Sequence, residues 1–281
     1  MSSLSPNPLA KHFRQPALYI KLPSNGRWYP PNTIDLPATG EIPIFAMTAK
    51  DELTMKTPDA LMNGSSTAQV IRSCCPSILD PWKMPIVDLD TLLLAIRIAT
   101  YGKELEFTAV CPHCTTKNEQ NIDVSVMMDR INPGDWSRPV QAAGLSIKLR
   151  PLSYEEYNQN NMLNFDEQRI IQIVQSEDLN EAEKQSKFDE VFQKLITTGI
   201  NAVSKNIEYI TTPDGETVTD KAFILDFLNN CDKAVWDSIR AYLDNIKNDN
   251  KYNEVTLTCQ NEECGKEFVT PFLFEQTNFF V

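Results

Sequence analysis

The fold of this chain is decided by two cysteine pairs, Val110-Cys111-Pro-His-Cys114 and Thr258-Cys259-Gln-Asn-Glu-Glu-Cys264-Gly265. Each pair lies in a short turn between segments that alternate like strands, and such a turn lets two thiolates approach one ion at about 2.3 Å. Each pair offers two ligands, whereas a structural zinc ion binds four. We therefore predict that Cys111, Cys114, Cys259 and Cys264 bind one zinc ion.

Other uses of these cysteines compete with zinc binding. Two unrelated surface thiol pairs would show the same spacing, and a disulfide within either pair is disfavoured in a reducing compartment. His113 could replace a cysteine, but it lies between two better-placed thiols. Four thiolates leave no open coordination position, so the predicted zinc would stabilise structure and would not activate water.

Closing this site would bring residue 111 beside residue 259 and make the intervening chain an insertion. We expect an α+β protein in which two distant β-hairpins form a split zinc ribbon with four cysteine ligands. The expected segments are a flexible arm (1–16), an N-terminal lobe of small β elements and helices (17–103), the ribbon halves (104–124 and 253–272), a mainly helical insertion (125–252) and an apolar C-terminal tail (273–281).

Local patterns predict the elements within these segments. Thr48 and Asp88 are candidate N-caps, and Gly102 suits the end of the helix that follows Asp88. Ile122 and Val124 are expected to continue the strand after the first knuckle. The predicted strands are 18–22, 41–45, 145–149, 207–210 and 217–218. The predicted helices are 67–75 and 89–100, one that follows a capping box at Asn180 and Glu183, and two that start at Thr219 and Asp232.

Composition limits the possible functions. The apolar stretches are far shorter than the roughly 20 residues that cross a bilayer, so no membrane association is expected. With only two histidines and no glycine-rich phosphate loop or nucleophile elbow, the sequence points away from an enzyme. The net charge of −12 and the acidic residues near both knuckles make nucleic acid an unfavourable partner, although a zinc-ribbon nucleic-acid-binding protein stays open as the alternative.

Four segments, with the first knuckle after them, resemble the baseplate hub and hub-assembly proteins of T-even-type tailed phages: 18–30, 47–52, 57–64 and 82–90. Thr115 departs from the usual ribbon, in which a glycine commonly follows the knuckle. The resemblance implies a non-enzymatic protein of the contractile-tail baseplate, either a hub component or an assembly chaperone that leaves before completion. It also implies other tail or baseplate proteins as partners, and a location in the host cytoplasm during assembly or in the virion baseplate.

Two groups of residues are candidate partner contacts. Arg27, Trp28 and Tyr29 form an arginine and aromatic cluster of the kind enriched at interfaces, although a core role for Trp28 fits equally well. Phe279 and Phe280 belong to a terminus too apolar for a solvated tail, so they are expected to dock on this chain or on a neighbour. The sequence does not determine stoichiometry or oligomeric state.

Overall fold

The computed structural model describes residues 7–56, 64–163, 194, 196–249 and 254–272. Several predictions lie outside these residues: the start of the arm, most of segment 57–64, the helix after Asn180 and Glu183, and the tail with Phe279 and Phe280. Within the described residues the protein mixes helices with small antiparallel sheets, as the sequence predicts. No helix in this part of the chain combines the length and apolar character needed to cross a bilayer.

The elements follow one another along the chain, with further helical residues at 154–163 and 196–206. The helices are α1 Ala49–Met55, α2 Ser65–Cys74, α3 Leu89–Tyr101, α4 Val124–Arg130, α5 Lys221–Asn230 and α6 Lys233–Asp249. The strands are β1 Pro16–Lys21, β2 Glu41–Phe45, β3 Glu104–Val110, β4 Lys117–Asp123, β5 Val140–Ala142, β6 Leu145–Leu149, β7 Ile207–Thr211, β8 Thr217–Val218, β9 Glu254–Thr258 and β10 Glu267–Pro271.

A first core forms where β1 and β2 pack against α2 and α3. The two strands pair antiparallel with Ile20 opposite Ile42, and their inward side chains alternate with exposed ones because successive residues of a strand face opposite sides. α3 is apolar on most of its surface, which suits a helix enclosed by other elements. The fully enclosed side chains of this core include Ile42, Ile44, Ile71, Leu92, Leu94 and Ile96.

A second core lies in the segment predicted as an insertion. Four antiparallel strands in the order β5-β6-β7-β8 form its sheet, and α5 and α6 cover one face. Ile147, Ile207 and Ile239 are completely buried between the sheet and the helices. The segment is tied to the first lobe by backbone hydrogen bonds from Ile86 to Leu152 and from Tyr154 to Met84, each 2.8 Å long.

Three local expectations were wrong at the residue level. Val124 begins α4 and does not extend β4, because the Asp123 side chain accepts a hydrogen bond from Ser125 N–H and caps a helix there. Asp220, not Thr219, caps α5, accepting from the backbone N–H groups of Ala222 and Phe223.

Asp88 is the third case. It occupies the N-cap position of α3, but its side chain makes no capping bond. The carboxylate instead accepts hydrogen bonds from Ser24 N–H (2.8 Å), Ser24 Oγ (2.6 Å) and Tyr29 Oη (3.0 Å). Thr48 does cap α1, in a capping box with Asp51.

Candidate metal centre

The two cysteine pairs lie at the tips of two antiparallel hairpins, β3-β4 and β9-β10. In the first hairpin Val110 pairs with Lys117, so the turn holds Cys111 and Cys114. In the second hairpin Thr258 pairs with Glu267, so the longer turn holds Cys259 and Cys264. The regular register up to each turn fixes where the thiols project.

The four sulfur atoms converge on one point, as the sequence predicts. All of them lie within 4.8 Å of one another, with 3.5 Å between the Sγ atoms of Cys114 and Cys259 and 4.0 Å between those of Cys111 and Cys264. A tetrahedron of sulfurs about 2.3 Å from a central zinc has edges of about 3.8 Å. The donor set and its spacing therefore fit a tetrahedral thiolate site. His113 is exposed and is not a member of this group.

The two knuckles share one backbone arrangement. The amide of Cys111 donates to Thr116 O, and the amide of Cys259 donates to Lys266 O, both at 2.9 Å. Thr115 and Gly265, which follow the second cysteine of each knuckle, have positive φ angles of 61° and 54°. Glycine adopts this conformation readily, whereas a β-branched residue is strained in it. The first knuckle thus keeps the usual hydrogen bonds although threonine replaces the expected glycine.

Polar side chains join the two hairpins beside the cysteines. Asn118 is fully buried, and its Oδ1 accepts a 2.6 Å hydrogen bond from the backbone amide of Gln260. The Gln260 side chain in turn donates to Glu119 O at 2.8 Å and accepts from Glu119 N–H at 3.2 Å. The sequence analysis missed both residues, because a polar residue on a strand carries no local signal that it pairs with a distant turn.

A small apolar cluster packs against one side of the cysteine site. Ala109, Leu257 and Phe268 are each less than one-tenth exposed and pack with Cys111 and Cys259. Cys114 and Cys264 lie at the more open side. One side of the site is therefore shielded from water and the other is within its reach.

Hydrogen bonding and burial act on the thiols in opposite directions. Cys114 Sγ lies 3.3 Å from Thr116 Oγ1, and the hydrogen bonds of Thr116 lower the pKa of Cys114 to about 6. Burial raises the pKa of the Cys259 thiol to about 12. Since thiolate is the form that binds metal, a cation among the four sulfurs would offset the cost of ionising the buried thiols.

The predicted contact residues of the N-terminal lobe face different surroundings. Tyr29 packs against the first core and donates to Asp88, whereas Trp28 packs against the second core with its ring 6.4 Å from that of Trp136. Arg27 is exposed, and its guanidinium carbon lies 4.7 Å from the centre of the Trp28 ring. Burial raises the pKa of Tyr29 well above its usual value and that of Asp88 to about 6.

The fold and the site define a mixed helix-and-sheet protein with a ribbon-like group of four cysteines. Comparison with family models identifies it further, because residues 21–281 match the family described as the T4 bacteriophage base plate protein. The chain belongs to this family and is a phage baseplate structural protein. Membership implies contacts with other phage tail proteins. Neither the comparison with curated proteins nor the comparison with solved structures found a match.

Proposed function

We propose that this chain is a non-enzymatic component or assembly factor of the baseplate hub of a contractile phage tail and acts through protein-protein contacts. The observation that carries the proposal is the family match, which extends over residues 21–281. The resemblance of segments 18–30, 47–52 and 82–90 to hub and hub-assembly proteins supports the hub as the location.

We further propose that the four cysteines hold one structural zinc ion. The support is the donor chemistry and the spacing, since four sulfurs within 4.8 Å of one another match a closed thiolate site. Bound there, the ion would neutralise thiolate charge and join β3-β4 to β9-β10. The ribbon then acts as a crosslink between distant parts of the chain, which suits a scaffold protein.

Mass spectrometry of fractionated phage material tests the role. A hub component is expected in purified particles at a fixed ratio to other baseplate subunits. An assembly factor is expected in infected-cell lysate and in assembly intermediates, and not in finished particles. Detection in assembly intermediates from infected cells would support a location in the host cytoplasm during assembly, whereas absence from every baseplate-containing fraction would contradict the proposal.

The nucleic-acid alternative predicts a different result. Filter-binding assays with DNA and RNA at low and moderate salt would show tight binding that weakens steeply as salt rises. We expect no such binding, because acidic side chains outnumber basic ones in the chain, 38 to 26.

A further inference from the structure

β1 is an edge strand with an open side. Within the described residues it pairs only with β2. In that pair Tyr19 lies opposite Pro43, which has no N–H, so this is a non-hydrogen-bonded position whose amide groups point away from the partner strand. Two residues further on, Lys21 has the same orientation. The N–H and C=O groups of Tyr19 and Lys21 therefore face outward from the sheet.

The other edge of this small sheet is blocked. Pro43 lies at an outward-facing position of β2, and the neighbouring outward amide of Glu41 donates to Thr39 Oγ1 at 3.3 Å. Proline and satisfied amides both prevent a further strand from pairing. On β1, in contrast, Pro16 and Pro23 flank the open edge but none lies between them. The sheet thus offers one edge for strand addition, over about five residues.

A groove runs along the open edge. It has a volume of about 450 Å³, and residues 19–23 line one wall. A wall of consecutive residues is formed by strand backbone, because a strand face would contribute only alternate residues. Thr91 of α3 and Met128 of α4 lie on the opposite wall, together with Asp129 and Ile131. The groove therefore combines backbone hydrogen-bonding groups with an apolar side.

Thr91 gives a second, independent reason to expect an occupant. It is only 4% exposed, and its Oγ1 has no hydrogen-bond partner among the residues that the structure describes. Buried hydroxyl groups are nearly always paired because an unpaired one costs free energy. Thr91 is also one of the residues that line the groove, so a backbone added there would lie beside this side chain.

We propose that the outer edge of β1 binds an extended segment of another baseplate subunit as an added strand, an inference that rests on the proposed function. Main-chain hydrogen bonds to Tyr19 and Lys21 would hold the segment, as in other strand-addition complexes. The segment carries no proline at the two pairing positions. Its inward side chains are apolar, to contact Met128 and Ile131, and an acidic side chain beside Lys21 matches that charge.

Tyr19 adds to the fit of such a segment. Its side chain is 62% exposed on the face of β1 away from the core. A cross-strand neighbour would cover this ring, since aromatic side chains pack favourably against residues on an adjacent strand. The side chains on the opposite face of the added strand would lie on the same side of the sheet as Ile20, which is buried in the first core.

The test uses the full chain and recombinant baseplate subunits of the phage that encodes it. Each subunit is added in turn, and affinity and hydrogen exchange are measured. We expect one subunit to slow exchange at residues 17–23 at least tenfold and to leave residues 41–45 unchanged. Lys21→Pro, which removes one outward N–H, should weaken binding at least tenfold, whereas the matched control Lys21→Arg keeps both the N–H and the positive charge and should change affinity less than threefold.

The remaining outcomes separate this proposal from the proposed function. A subunit that binds without slowing exchange at 17–23 overturns the docking site and leaves the proposed function standing. Absence of binding to every subunit contradicts both the docking site and the proposed function.

Slowed exchange that grows with the concentration of the chain alone would identify a second copy as the occupant and overturn the proposal. Slowed exchange in the free chain that is lost on deletion of residues 273–281 would overturn it in favour of the chain's own tail. Exchange in the wild-type chain keeps the test decisive even if Lys21→Pro does not fold.

Discussion

Cys114 Sγ lies 3.5 Å from Cys259 Sγ although the two residues are 145 positions apart in the chain. Bringing such distant residues together has an entropic cost that grows slowly with the length of the loop. Contacts within one hairpin cannot offset this entropic cost. The packing of β3-β4 against β9-β10 therefore depends on the hydrogen bonds of Asn118 and Gln260, on the apolar cluster beside the thiols and on the proposed ion. The first prediction concerns that ion.

Purified wild-type protein is expected to contain one zinc ion per chain. Cys259→Ser should lower the zinc content below about one-fifth and reduce the free energy of unfolding by several kcal/mol, because metal binding adds to folding free energy. Cys231→Ser is the matched control, since this half-buried thiol lies outside the cluster. Elemental analysis and thermal unfolding check both, and zinc-free wild-type protein with unchanged stability would contradict the prediction.

Thr115→Gly should stabilise the protein by about 0.5–1 kcal/mol. A left-handed conformation costs a non-glycine residue about 1–2 kcal/mol, and the extra flexibility of glycine in the unfolded chain cancels part of that gain. Thr108→Gly is the control, because Thr108 is exposed on β3, where glycine only weakens the strand. Urea unfolding should show opposite signs for the two variants.

Asp88→Ala should destabilise the protein by about 3 kcal/mol. The change leaves Ser24 N–H, Ser24 Oγ and Tyr29 Oη without their acceptor in a buried site. Asp129→Ala, at an exposed position of α4, should change stability by less than about 0.5 kcal/mol. Similar losses for the two variants in chemical unfolding would show that the Asp88 network contributes little.

Asp88 should also make stability depend on pH. Burial raises its pKa from 3.8 to about 6, so between these values the folded state holds more protons than the unfolded state. Stability from this group is therefore fully present below about pH 4 and falls as pH rises toward about 6, by about 3 kcal/mol in total. The difference between wild-type and Asp88→Asn unfolding free energies, measured from about pH 4 to about pH 7, should follow this curve, and a constant difference would refute the assignment.

Trp28 and Arg27 are expected to act differently. Trp28→Ala should destabilise the free chain by about 2 kcal/mol, because the ring packs against Trp136 and the second core. Arg27→Ala should cost about 0.5–1 kcal/mol, because this exposed side chain contributes only a cation–π contact with Trp28 and a hydrogen bond to Ser24 O. If Trp28→Ala leaves stability unchanged but weakens binding to a baseplate subunit, Trp28 is an interface residue and not a core residue.

The sequence by itself determined the features that depend on neighbouring residues. The cysteine spacing within each turn, the alternation of β1, β2 and β3, the apolar surface of α3 and the Thr48 cap follow from the geometry of a single turn, strand or helix. The segments that resemble hub proteins also indicated the family from sequence alone. These signals span only a few residues, so distant parts of the chain do not alter them.

The tertiary structure decided which polar groups meet across the chain. Asp88 has the sequence of a helix cap, but its carboxylate binds Ser24 and Tyr29, because three hydrogen bonds to this buried group outweigh one capping bond. Asn118 and Gln260 pair only because two hairpins from distant positions lie side by side. The open edge of β1 is likewise visible only in the tertiary structure. The sequence of a strand does not show whether one or two other strands pair with it. Which groups a polar side chain binds depends on the three-dimensional positions of distant residues. Periodicity and spacing describe only one helix, strand or turn at a time.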